Sequence, residues 1–114
     1  MYMKKVNEND FEYRHGDSGP KYLMRGPNID WGVMVLKPGT KMGAHGHKET
    51  EETFYFLKGS GLIRVDDIPH TVMPGDVYYV NPEEKHDIEN TGKTDMKVIF
   101  IKYPYLPDDK IKYN

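Results

Sequence analysis

The sequence predicts an all-β sandwich or barrel. Three observations carry that reading. Apolar residues fall in short runs rich in β-branched and aromatic types, such as residues 53–57 (TFYFL) and 77–80 (VYYV). Gly, Pro, Asn and Asp punctuate the chain at the close spacing that many short strands require. No long stretch carries apolar residues at the i, i+3, i+4, i+7 spacing of an amphipathic helix.

The strands are expected in this order. Residues 31–36 (WGVMVL) form the first, closed by Pro38-Gly39. Residues 44–48 follow and carry His45 and His47. Residues 53–57 come next and stop at Gly59-Ser60-Gly61. Residues 62–65 (LIRV) lead into Asp66-Asp67, a hairpin turn. Residues 71–73 make a short strand ended by Pro74-Gly75, and residues 77–80 end at Asn81-Pro82. Residues 86–89 (HDIE) alternate around Ile88. Residues 97–103 (KVIFIKY) are the last strand and end at Pro104. Residues 7–27 and 104–114 read as irregular flaps, and no internal repeat divides the chain.

Bulk properties narrow the classes. The 114 residues suffice for one domain, 1–114, and are too few for two. A domain of this size buries roughly two-thirds of the surface of its unfolded chain. Sixteen Lys and Arg against 18 Asp and Glu give a net charge of −2, with no basic block to suggest nucleic acid. Mean hydropathy is low, at −0.78, but 12% aromatic content argues against disorder. With no cysteine, disulfides, thiolate metal sites and cysteine nucleophiles are excluded. The first ten residues contain lysines but no apolar run of a secretory leader follows. No apolar run approaches the ~20 residues of a membrane span. A cytoplasmic protein without membrane or nucleic-acid partners is expected.

The chemistry concentrates in five residues. His45-Gly46-His47 on a strand puts both imidazoles on one face, because strand side chains alternate with period two. Glu51 and Glu52 follow closely, and His86 lies far downstream. Converging imidazoles and a carboxylate make a nitrogen/oxygen metal site. Glu52 would share a strand face with Phe54 and Phe56, so a carboxylate would sit on an apolar floor. Low dielectric there is costly unless a cation neutralises it.

These residues resemble the cupin superfamily. Its first motif, G-x5-H-x-H-x(3,4)-E-x6-G, is filled by Gly39, His45, His47, Glu52 and Gly59. Its second, G-x5-P-x-G-x2-H-x3-N, is met at Gly75, His86 and Asn90. Asn81 and Glu83 stand where that motif has proline and glycine, although Pro82 lies between them. Fifteen residues separate the motifs 39–59 and 75–90, a short gap like that of single-domain microbial members.

The resemblance implies a double-stranded β-helix, or jelly-roll barrel, that pairs into a homodimer. It implies His45, His47, Glu52 and His86 as ligands to one divalent transition metal, which could be Mn, Fe, Ni, Co, Cu or Zn. Glu51 is the competing carboxylate, but it leaves seven residues before Gly59 where the motif has six. Four protein ligands would leave one or two exchangeable positions, as metal catalysis needs. The expected function is a metal-dependent enzyme acting on a small polar molecule, with dioxygenase, isomerase or lyase chemistry. The alternatives are a metallo-barrel that binds or senses a sugar or organic acid, and a barrel whose metal serves stability alone.

Other residues read more plainly. His70 follows Pro69 in a hairpin arm and reads as surface. His15 reads as a loop histidine within reach of the barrel mouth. Arg25 and Arg64 are possible anion anchors, and Trp31 suits the mouth or a subunit interface. The glycine-rich pieces open no helix and match no phosphate loop. Ser18 and Ser60 are the only serines, and neither has a nucleophile setting.

Overall fold

A computed structural model of the protein describes residues 3–113. Among the described residues, ten strands form two antiparallel five-stranded sheets. They are β1 (Gly19–Arg25), β2 (Asp30–Leu36), β3 (His45–His47), β4 (Glu51–Lys58), β5 (Gly61–Val65), β6 (Ile68–Val72), β7 (Val77–Val80), β8 (His86–Asn90), β9 (Met96–Tyr103) and β10 (Lys110–Lys112). One sheet runs β1-β2-β9-β4-β7 and the other β10-β3-β8-β5-β6. From β3 onward the chain moves back and forth between the sheets, and that winding makes a double-stranded β-helix.

Period-two alternation builds the interior. In β4, Glu52, Phe54 and Phe56 are buried while their neighbours are more exposed. In β9, Met96, Val98 and Phe100 do the same. Ile63 of β5 and Ile88 of β8 meet them from the other sheet, and all of these but Glu52 belong to one apolar cluster. Two glycines permit close strand approach. A Cβ on Gly32 would lie 2.1 Å from the Lys21 carbonyl oxygen, and one on Gly61 2.0 Å from that of Glu89.

Two strands occupy segments expected to be irregular. β1 begins Gly19-Pro20, which reads as a turn, and a register shift between Tyr22 and Met24 breaks its alternation. β10 has only three residues, Lys-Ile-Lys, and pairs with β3. Its lysines share the faces of His47 and His45, so it carries no apolar signal. β6 starts three residues before the expected 71–73 strand. It is an edge strand, exposed until Val72, and an edge tolerates Pro69. The Asp66-Asp67 turn forms as expected, with φ of 49° and 68°.

The altered second-motif turn keeps its shape. Glu83 takes the left-handed conformation expected of a glycine, with φ of 72°. Its N–H donates to the His47 carbonyl at 2.6 Å, and the Glu84 carboxylate accepts from Asn81 N–H at 2.7 Å. This turn therefore fastens the chain before His86 to the strand that carries His47.

Asn90, the last motif residue, is a fastener. It is fully buried, and its Nδ2 donates to the carbonyls of Leu36 and Thr94, each at 2.8 Å. Its Oδ1 accepts from Gly92 N–H at 2.9 Å. The loop after β2, the end of β8 and the approach to β9 are thus tied at one side chain.

Candidate metal centre

His45, His47, Glu52 and His86 come together at one end of the sandwich. Their donor atoms all lie within 4.8 Å of one another, and all but His45 are buried. Each strand contributes in a simple way. β3 presents both histidines on its inner face, and the register sets His45 directly opposite His86 of β8. The two rings stand 4.4 Å apart. β4 supplies Glu52 from the opposite sheet. Asp109 holds the intervening turn, because its Oδ2 accepts from the N–H groups of Glu49 and Thr50 at 2.8 and 2.9 Å.

Backbone carbonyls fix two of the rings. His45 Nδ1–H donates to the Gly43 carbonyl at 2.9 Å, and His86 Nδ1–H to that of Glu84 at 3.1 Å. Carbonyls only accept, so both Nε2 atoms present lone pairs. His47 Nε2 and His86 Nε2 each lie 3.2 Å from Glu52 Oε1. The His47 contact is a hydrogen bond. His86 Nε2 is buried without a hydrogen-bond partner, its approach to the same oxygen lacking the geometry for one.

That arrangement asks for a positive charge. A buried imidazole lone pair and a carboxylate oxygen face each other with nothing between them to satisfy both. A proton answers for one imidazole, and a divalent cation would answer for all four groups. The donor set of three imidazoles and one carboxylate suits first-row transition metals. Electrostatics agree. Burial, and then the facing His86, push the His45 pKa down to about 4. Burial alone would raise Glu52, but His47 and His86 outweigh it and hold its carboxyl at about 2. A neutral imidazole beside an ionised carboxylate is the state a metal requires.

Glu51 does not join the cluster. Its Oε2 accepts from Tyr79 Oη–H at 2.7 Å on the outer face of the sheet. His70 lies exposed on β6. Trp31 faces away from Asp30, beside Ile101 on the outer face, so it does not line the mouth. His15 and Arg14, by contrast, do line a cavity of about 280 Å³ that opens onto the cluster. Met34, Leu36, Phe54 and Phe100 form its apolar wall.

A row of alternating charges leads away from Glu52. The register sets Glu52 of β4 opposite Lys102 of β9, Lys102 opposite Asp30 of β2, and Asp30 opposite Arg25 of β1. Arg25 binds Asp30 with two hydrogen bonds, at 3.1 and 3.0 Å. Lys102 Nζ lies 3.6 Å from Asp30 and donates to Tyr22 Oη at 2.8 Å. Sequence reasoning passed over Lys102, Tyr22 and Lys110. For Lys102 the signal was there, since it continues the inward phase of Met96, Val98 and Phe100.

The cupin domain family model matches residues 32–102. The chain belongs to the cupin family. Over 84 residues this cupin is 36% identical to an uncharacterized protein of Methanocaldococcus jannaschii, covering 68% of this chain and 67% of that one. Over 68 residues it is 35% identical to the oxalate-binding protein of Thermotoga maritima, covering 60% of this chain and 56% of that protein. The match thus spans little more than half of the Thermotoga relative's length. A Klebsiella pneumoniae protein with a double-stranded β-helix domain superposes with a TM-score of 0.84 at 14% identity, over 99% of this cupin and all of that chain. At that identity the likeness speaks for the fold alone.

Proposed function

We propose that this cupin is a metal-dependent enzyme acting on a small polar molecule. His45, His47, Glu52 and His86 would hold one divalent transition metal. The observation that carries the reading is His86 Nε2, buried, unpartnered and turned toward the Glu52 carboxylate. Such a metal supplies Lewis-acid or redox chemistry to an oxygen of the bound molecule. The chain's own groups do the rest. The apolar wall excludes water from one side of the ligand. Tyr22 accepts from Lys102, so its own proton is free for the ligand. Asp109 and the Glu83–Glu84 turn keep the carboxylate and the histidines in place.

A second reading, binding without turnover, draws support from the relative named for binding oxalate. A second copy of the chain is the proposed partner. Tyr55, Leu57, Val77, Tyr79, Ile101 and Tyr103 leave exposed apolar surface on strands β4, β7 and β9, and β7 is a sheet edge.

The deciding experiment measures metal content and thermal unfolding together. Reconstituted protein should bind close to one equivalent, and His86→Ala should lose it while retaining a cooperative melt. The chelated wild type should also stay folded, because burial of large apolar side chains contributes ~1.5–3 kcal/mol each to the barrel. Failure to bind any first-row divalent metal stoichiometrically would sink the metal reading. Unfolding of both the chelated and the substituted protein would assign the metal to stability alone.

A further inference from the structure

The cavity beside the cluster has the opposite charge to the molecule around it. Among the side chains lining it, Arg14, Lys41, Lys102 and Lys110 are cationic and Glu52 is the one carboxylate. The whole chain is net acidic. Outside the cavity, six of the twelve lysines and arginines pair with a carboxylate: Arg25 with Asp30, Lys37 with Asp95, Lys97 and Lys21 with Glu8, Lys85 with Asp67 and Arg64 with Glu89. Among the described residues, Arg14, Lys41 and Lys110 have no carboxylate within salt-bridge distance. β10 brings Lys110 beside His47, in the same cavity as Arg14 and Lys102. Like charges gathered around a concave surface repel one another unless an anion enters.

Lys102 is the innermost of these cations. Its side chain is only 12% exposed, and it stands next to Glu52 in the register. An ammonium has three donors. Tyr22 takes one, and Asp30, at 3.6 Å, is beyond hydrogen-bonding distance and already doubly bonded to Arg25. Donor capacity is therefore left over at the cavity wall. Beside it, on the inner face of the same sheet, lies the apolar wall of Met34, Leu36, Phe54 and Phe100.

From this geometry we infer that the ligand is a small organic carboxylate, its anionic group held by Lys102 and Tyr22, its approach favoured by Arg14 and Lys110, and its carbon body against the apolar wall. The inference rests on the reading of this cavity as the ligand site. A bare inorganic anion would satisfy the cations and leave the apolar wall uncovered. A neutral sugar would leave the cations unmatched.

Calorimetric titration with oxalate, succinate, succinamide and inorganic phosphate tests it, on protein of measured metal content. At least one carboxylate should bind, more weakly as salt rises. Succinamide, which matches succinate in shape without its charge, should not. Lys102→Met should weaken carboxylate binding at least tenfold at unchanged metal content. Arg14→Gln with Lys110→Gln, both at exposed positions, should weaken it severalfold and decides the matter should Lys102→Met fail to fold. Equal affinity for succinamide, tightest binding of phosphate, wild-type affinity in a folded Lys102→Met or in the double variant, or no binding of either carboxylate at millimolar concentration overturns the inference. Carboxylate binding by protein that takes up no metal would uphold it while removing the metal reading.

Discussion

At the scale of single residues, the donor cluster is an acid-sensitive element of the metal-free protein. His45 titrates near 4 in the folded chain, against about 6.5 in an unfolded one. Between those values the unfolded chain binds more protons, so stability falls as pH drops through this window and is complete above it. Discounted for the partial exposure of the ring, the loss should be on the order of 2–3 kcal/mol. Glu52, held near 2, adds a second loss at lower pH, from about 4.5 downward. Urea unfolding of chelated protein at several pH values checks the order of events. The slope between pH 6.5 and 4 should flatten in His45→Gln, and a stability unchanged over that window in the wild type would count against the buried, neutral imidazole.

Among elements, the turn before His86 departs most from the family pattern. Glu83 holds a left-handed conformation that costs a residue with a Cβ about 1–2 kcal/mol. Glycine would relieve that strain and give back about 0.5–1 kcal/mol through the unfolded chain. Glu83→Gly should therefore raise stability by roughly 0.5–1 kcal/mol, read as a higher urea midpoint at unchanged slope. A lower midpoint would mean that the Glu83 side chain contributes more than its conformation costs. This turn also marks where sequence reading succeeds. The spacing of His86 and Asn90 survived two substitutions, because register depends on residue count while the turn needs only residues able to adopt it. Glu52 was separable from Glu51 for a related reason: period two sends one inward with Phe54 and leaves the other for Tyr79. Strands β1 and β10 were missed because lysines stand where an apolar residue would give the signal: Lys21, buried on the outer face of β1 against Glu8, and Lys110, exposed at the rim of the cavity. Hydrophobic alternation cannot reveal a strand in which lysines hold those positions. Asn90 was visible as a motif position, but the hydrogen bond from its Nδ2 to the Leu36 carbonyl joins segments distant in sequence.

For the whole molecule, the outer face of the β4–β7–β9 region poses the next question. Tyr79 is 51% exposed and Val77 61%, on an edge strand that offers unpaired backbone groups. If a second copy covers them, the 13.3 kDa chain should sediment at twice its mass. Val77→Lys with Tyr79→Lys should shift it to the monomer without loss of metal binding. A monomeric wild type at tens of micromolar would remove the homodimer. The interior face of the same sheet has a different lesson. Read from one end of β9 to the other, Met96, Val98 and Phe100 give way to Lys102; on β4, running the other way, Phe56 and Phe54 give way to Glu52. A step of two residues separates the positions that decide whether the barrel exists from those that decide what it accepts. A lineage carrying this scaffold can therefore explore new ligands at one end of its strands while the other end stays untouched.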